Sequence, residues 1–244
     1  MAALKTYPDA ESLGRGAAEH FVTLAGPAIA DRGRFAVALA GGSTPRGMYA
    51  RLTTEELAAQ ADWSRVHVFW GDERCVPPDH PDSNYRMARE RLLDHVPIPT
   101  QNVHRIRGEI DPEEAAVEYE RTLRTFFSPH PEQRGAEFDL VLLGMGDDGH
   151  TTSLFPGSAA LHEQVRWVVA HYVDKVQSWR VTLTPVVINA AAHVTFVVSG
   201  AGKAERLRQV LVGPYQPDIL PAQIVKPDSE RLLWLVDTAA AALL

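Results

Sequence analysis

Short apolar runs alternate along the chain with longer stretches of helical periodicity. Residues 35–40, 66–70, 140–143, 167–173, 194–199 and 232–236 are largely continuous apolar runs. Continuous runs suit strands covered on both faces, as in a parallel sheet; a half-exposed strand alternates instead. Helices are predicted between them, over residues 10–30, 45–52, 84–93, 111–127, 185–192 and 203–212. The fourth has clear end signals: Asp111 as cap, Pro112 in the first turn, and Glu113 and Glu114 near the positive dipole end. Strands alternating with helices predict an α/β fold, a three-layer α/β/α sandwich with a mainly parallel, Rossmann-like sheet. Residues 128–135 are turn-rich but short and lie between a helix and a strand, so residues 1–244 read as a single domain. The Ala-rich tail, residues 239–244, reads as the end of a helix. In such folds ligands collect at the carboxyl ends of the strands, and the unusual sequences fall there.

The most informative of them follows the apolar run 140–143: Gly144-Met-Gly-Asp-Asp-Gly-His150. Its first six residues fit G-x-G-x-x-G, a dinucleotide fingerprint. Asp174 even ends the next apolar run, 28 residues after Gly146, against a usual offset of about 20. Two observations count against that reading. Asp147 and Asp148 would stand close to a doubly charged pyrophosphate. The helix that should receive the pyrophosphate is poor, since Thr151, Thr152 and Ser153 are weak formers and Pro156-Gly157 stops it. The alternative is a catalytic turn. A histidine at such a turn can serve as a general base, and Asp148 can fix its tautomer or contact a substrate. The bland alternative is a strand-end turn with solvated acids and a surface histidine.

Four further segments carry candidate chemistry. In Gly41-Gly42-Ser43-Thr44-Pro45-Arg46, a strand enters paired glycines, two hydroxyls and a proline at a helix start, with Arg46 adding charge. Exposed amides at a helix N-terminus make an anion site; a plain cap needs only one hydroxyl. Ser199-Gly-Ala-Gly-Lys203 runs a second strand into glycines and a lysine, without the spacing of a nucleotide P-loop. A lysine in a first helical turn opposes the dipole, and an anion there would offset the cost. Together the two loops suit a monophosphate held from two sides. Gly71-Asp72-Glu73-Arg74 ends a buried strand in charge: Arg74 is a candidate substrate contact with Asp72 or Glu73 as positioning group, or Asp72 and Arg74 form a solvated pair. Arg180 is either a further substrate contact or a structural ion pair. The remaining histidines sit without carboxylates at motif spacing and read as structural.

Bulk properties narrow the classes. The chain of 244 residues is 45% hydrophobic, enough for a full core, and its net charge of −7 disfavours non-specific nucleic-acid binding. A single cysteine excludes an internal disulfide and fits a reducing cytoplasm. No cluster has zinc spacing, the first residues lack the pattern of a signal peptide, and no apolar run approaches the roughly 20 residues of a membrane helix.

Taken in order, Gly41-Gly-Ser-Thr-Pro45, Phe69-Trp-Gly-Asp-Glu-Arg74, Gly144 to His150 with Ser153-Leu-Phe-Pro156, Arg180-Val-Thr-Leu-Thr184 and Gly200-Ala-Gly-Lys-Ala204 resemble the 6-phosphogluconolactonases of the glucosamine-phosphate isomerase/lactonase superfamily. The resemblance implies hydrolysis of 6-phosphogluconolactone to 6-phosphogluconate by a one-domain α/β sandwich without an organic cofactor, and no metal is expected. It implies His150 as general base; Asp148, which would orient His150 or bind a sugar hydroxyl, and Arg74, which would stabilise the oxyanion or bind the carboxylate product, are the other candidate catalytic residues. Ser43, Thr44 and Lys203 are expected at the phosphate, with Gly41, Gly42, Arg46, Asp72, Gly146 and Arg180 as further substrate contacts. The expected partner is the sugar-phosphate lactone alone, with no nucleic acid and no membrane, and the chain acting in the cytoplasm as a monomer or weak homodimer. Related glucosamine-6-phosphate deaminases carry a glutamate where this chain has Phe155, and Asp-Glu-Tyr where it has Asp72-Glu73-Arg74. A deaminase/isomerase and a non-catalytic sugar-phosphate sensor are the alternatives.

Overall fold

The computed structural model describes residues 3–127, 136–227 and 229–244. The turn-rich segment 128–135 lies outside the described residues. Nine strands occur in chain order among them: β1 (Ala3–Tyr7), β2 (Phe35–Leu39), β3 (Val66–Trp70), β4 (Asp72–Arg74), β5 (Leu140–Leu143), β6 (Val168–Val173), β7 (Ser178–Leu183), β8 (Val194–Val198) and β9 (Leu232–Asp237). The helices are α1 (Ala10–Arg32), α2 (Ser43–Leu52), α3 (Glu55–Ala58), α4 (Asn84–Arg91), α5 (Pro112–Phe127), α6 (Pro185–Ala190) and α7 (Ala204–Val212).

Six strands form a sheet in the order β1-β9-β8-β5-β2-β3, and each pairing is parallel. Helices flank this sheet, as the alternating pattern predicts. Every residue of β2, β5 and β8 is buried, so these central strands are covered on both faces. The strand order reverses between β2 and β5: the chain leaves β2 for β3 on one side, while β5 leads to β8 on the other. A reversal of this kind opens a crevice at the carboxyl ends of the two strands.

The apolar run 167–173 does not join the main sheet. It forms β6 of a separate antiparallel sheet, β4-β7-β6. Continuous burial marks a strand as covered but does not name its partners. The sequence reading also lacks β1, an exposed edge strand, and the three-residue β4. The tail after β9 forms turns rather than a helix. The small sheet begins where β3 ends. Gly71 donates to the Leu39 carbonyl at 2.9 Å and accepts from the Leu183 amide at 2.8 Å, which joins the two sheets beside the crevice. Among the described residues no helix is long and apolar enough to cross a membrane.

Candidate active site

A cavity of about 300 Å³ opens at the β2/β5 crevice. Its walls come from the loop after β2 (Gly41–Pro45), from β4 (Asp72, Arg74), and from Asn84 at the start of α4. The turn after β5 (Gly144–Asp147, His150–Thr152) and the end of β8 with Lys203 complete it.

On one wall, α2 starts at Ser43. Its cap residue, Gly42, has φ 99° and provides no side chain to the helix amides. The N-terminus of a ten-residue helix therefore meets the cavity without a side-chain cap, leaving its amides and dipole for an anion. Gly41 must be glycine on packing grounds, since a Cβ there would collide with the Asn84 carboxamide. Arg46 lies farther along α2, is exposed, and is not among the lining residues. Its helix buries Pro45, Met48, Tyr49 and Leu52, which turns position 46 away from the core-facing side.

Lys203 closes the turn Ala201–Lys203, just before α7. Asp237 at the end of β9 holds that turn. Its carboxylate accepts from the Ser199 hydroxyl at 2.5 Å and from the Gly200 amide at 3.0 Å. The Lys203 ammonium pairs with the exposed Asp147 carboxylate.

The turn after β5 presents His150. The Gly146 amide donates to the His150 carbonyl at 2.8 Å and the Gly149 amide to the Gly146 carbonyl at 3.0 Å. Gly149 has φ 83°, and a side chain on Gly146 would occupy the space of the His150 ring. Those two amides serve the turn, so neither is available to a ligand. The helix-poor stretch that follows keeps Thr152 at φ 48°, a left-handed conformation rare for a β-branched residue. His150 Nδ1 lies 2.5 Å from Asp148 Oδ1, and its Nε2 is thereby left for the cavity. Burial alone would raise the Asp148 carboxyl. Hydrogen bonds from His150 and Lys175 outweigh it and hold the group well below the usual carboxylate range. Asp148 stands behind His150 and is not among the cavity-lining residues.

The third wall is β4. Asp72 is buried and braced: it accepts from the Ser153 hydroxyl at 2.6 Å and from the Asn84 carboxamide at 3.2 Å. The sequence gives no local signal for either partner. Glu73 turns away from the cavity and caps α4, accepting from the amides of Asn84 at 2.7 Å and Tyr85 at 2.8 Å. Burial pushes its carboxyl up despite those donors. There is no Asp72–Arg74 ion pair among the described contacts. Arg74 donates instead to the Asp82 carbonyl at 2.5 Å, and its Nε is buried without a partner. Arg180 sits opposite Arg74 in the β4/β7 register, outside the lining residues, also with a buried, unpartnered Nε. Burial and the neighbouring Arg74 charge pull its guanidinium below its ordinary value. Two adjacent guanidiniums thus each keep an Nε–H without a partner beside the cavity.

Among the described residues no group of three or more histidines, cysteines, aspartates or glutamates is arranged to hold a metal ion.

A family model for glucosamine-6-phosphate isomerases/6-phosphogluconolactonase matches residues 8–234. A 6-phosphogluconolactonase of a Nostoc species is 43% identical over 240 residues, covering 98% of this chain and 97% of its own length. That of a Synechocystis species is 46% identical over 215 residues, covering 87% and 86%. The solved structure of a 6-phosphogluconolactonase from Trypanosoma cruzi superposes with a TM-score of 0.89 at 28% identity, covering 100% of this chain and 97% of that one. On sequence, fold and the order of its loops, the chain belongs to the family of glucosamine-6-phosphate isomerases and 6-phosphogluconolactonases.

Proposed function

We propose that the chain hydrolyses 6-phospho-D-glucono-1,5-lactone to 6-phosphogluconate, with His150 as the general base that activates water. It is an enzyme of the 6-phosphogluconolactonase type. The observation that carries the mechanism is the contact at 2.5 Å between Asp148 and His150, which places the histidine on the wall of the cavity that also receives the uncapped start of α2 and Lys203.

The phosphate binds the amides and hydroxyls of Ser43 and Thr44, with Lys203 as its counterion. The lactone carbonyl then lies toward His150. With Asp148 on Nδ1, His150 Nε2 takes a proton from water as the oxygen attacks C1. The carbonyl π bond becomes an oxyanion, which the Arg74 guanidinium stabilises. The oxyanion re-forms the carbonyl and the C1–ring-oxygen bond breaks. The proton held by His150 goes to the departing ring oxygen. A lactone is an activated ester, and no serine nucleophile is needed. Arg180 reinforces the Arg74 potential, and Asp72 fixes β4 against the Ser153 segment. Residues 1–244 act in this reading as one domain. Residence in the cytoplasm is part of the same proposal and is supported by the single cysteine.

A deaminase is expected to carry a carboxylate where this chain has Phe155, and the loss of that acid/base group argues against its chemistry. The test is to incubate the enzyme with 6-phosphogluconolactone at mildly acidic pH, where spontaneous opening is slow, and separately with glucosamine 6-phosphate. Lactone hydrolysis well above background without ammonia release is expected. Ammonia release, or tight binding of 6-phosphogluconate without turnover, would overturn the reading in favour of a deaminase or a sensor.

A further inference from the structure

Both oxygens of the Asp148 carboxylate are engaged. Oδ1 meets His150 Nδ1 at 2.5 Å and accepts from the His150 amide at 3.1 Å. Oδ2 accepts from Lys175 Nζ at 2.5 Å. Lys175 does not come from the parallel sheet that carries the histidine. It belongs to the single 3-10 turn Asp174–Val176 that joins β6 to β7. The turn is held closed by the Gln177 amide and carboxamide, which donate to the Asp174 carbonyl at 3.2 and 2.8 Å. The antiparallel sheet thus delivers a cation to the far side of the carboxylate that orients His150. The mechanism above makes no use of it.

We propose that Lys175 is a positioning residue for the hydrolysis, the outer member of a Lys175–Asp148–His150 chain of contacts that locks the carboxylate and tempers its pull on the imidazole. Two effects follow from one contact. A carboxylate held at both oxygens cannot rotate away from Nδ1, so Nε2 keeps its aim. A carboxylate alone stabilises the imidazolium, whereas a cation on its other oxygen withdraws part of that stabilisation and keeps the ring available as a base. The other charged groups facing His150 across the cavity are Asp147 in its own turn, Lys203 of the turn before α7 paired with it, and the β4 side chains Asp72 and Arg74. Phe155 covers one face of the ring and brings no charge. Among these, Lys175 is the cation bound to the carboxylate that holds the ring.

The inference rests on His150 being the base only in its kinetic consequence; the effect on the ring can be read separately. The His150 imidazole is titrated by NMR, and kcat/KM is followed against pH, in the wild type, Lys175→Met and Lys175→Arg. The Lys175 side chain is 61% exposed, so neither substitution threatens the core. In Lys175→Met the ring's titration midpoint rises by about 0.5 pH unit at low salt, a shift that shrinks as salt is added. The acid limb of kcat/KM moves up with it, KM above that limb stays within about twofold, and Lys175→Arg restores the wild-type profile. An unmoved midpoint in Lys175→Met, or a loss of kcat equal at every pH, would overturn the proposal. A shifted midpoint with an unshifted acid limb would instead remove His150 as the base while leaving the contact chain intact.

Discussion

The Phe155 ring stacks on the His150 imidazole, with ring centroids 4.1 Å apart and planes 23° from parallel. Phe155 is nearly buried and holds one face of the ring while Asp148 holds Nδ1. A flat apolar neighbour restricts the imidazole to one plane, which a carboxylate at this position would not do. Phe155→Leu keeps much of the volume but loses the flat face. We expect kcat to fall by about three- to tenfold, the range of a lost aromatic contact, with KM little changed. Steady-state kinetics decide it, and a changed KM with normal kcat would show that Phe155 serves substrate binding instead.

Asp148→Asn preserves shape but lets Nδ1 face a neutral amide, so the preferred tautomer is no longer enforced. A loss in kcat of about 10²-fold is expected. Retention of full activity would mean that the pair is structural.

Lys203 carries a competing counterion. Its ammonium pairs with Asp147, whose carboxyl is lowered by the Lys203 hydrogen bond. A bound phosphate must displace or share this contact. Asp147→Asn should lower KM for the phosphorylated lactone by about threefold, the scale of one exposed ion pair, with kcat unaltered. Lys203→Ala should raise KM. A rise in KM for Asp147→Asn would show that the carboxylate assists binding rather than competing.

Acid should destabilise the fold well above the range in which carboxylates titrate. Burial lowers His104, packed between His67 and Phe69, to about 4, and His20, against Thr195, also to about 4. A histidine lowered in the folded state binds fewer protons there than in the unfolded chain. Its stabilising contribution is therefore complete above about pH 6.5 and is lost as pH falls from there toward 4. Urea midpoints measured across this range should drop. His104→Phe, placed among Phe69 and Phe126, should show a shallower drop than the wild type. An unchanged slope would contradict the assignment.

Much of this organisation is legible in the chain. Runs such as Leu140–Leu143 are too apolar to be anything but covered strands, and the glycine-rich breaks after them mark the crevice. Gly41–Thr44 and the turn that carries His150, separate in sequence, line one cavity. Pairings between distant segments are not legible. Asp72 meets Ser153 and Asn84, Asp237 holds the Gly200 turn, and Lys175 reaches Asp148. No periodicity encodes these pairings, because each depends on which strands become neighbours. The same limit explains β6, whose burial is legible but whose antiparallel partner, β7, is not. It also explains Arg46 and Arg180: charge near a loop is visible in sequence, whereas the direction of the side chain depends on the packed face of its helix or strand.

The central claim is that His150 activates water in the β2/β5 cavity. It is tested most directly by comparing 6-phosphogluconolactone hydrolysis by the wild type and His150→Ala, side by side at mildly acidic pH. The predicted result is a kcat lowered by about 10²-fold or more with KM largely kept, since the phosphate contacts are untouched. A variant with near-normal kcat would contradict it.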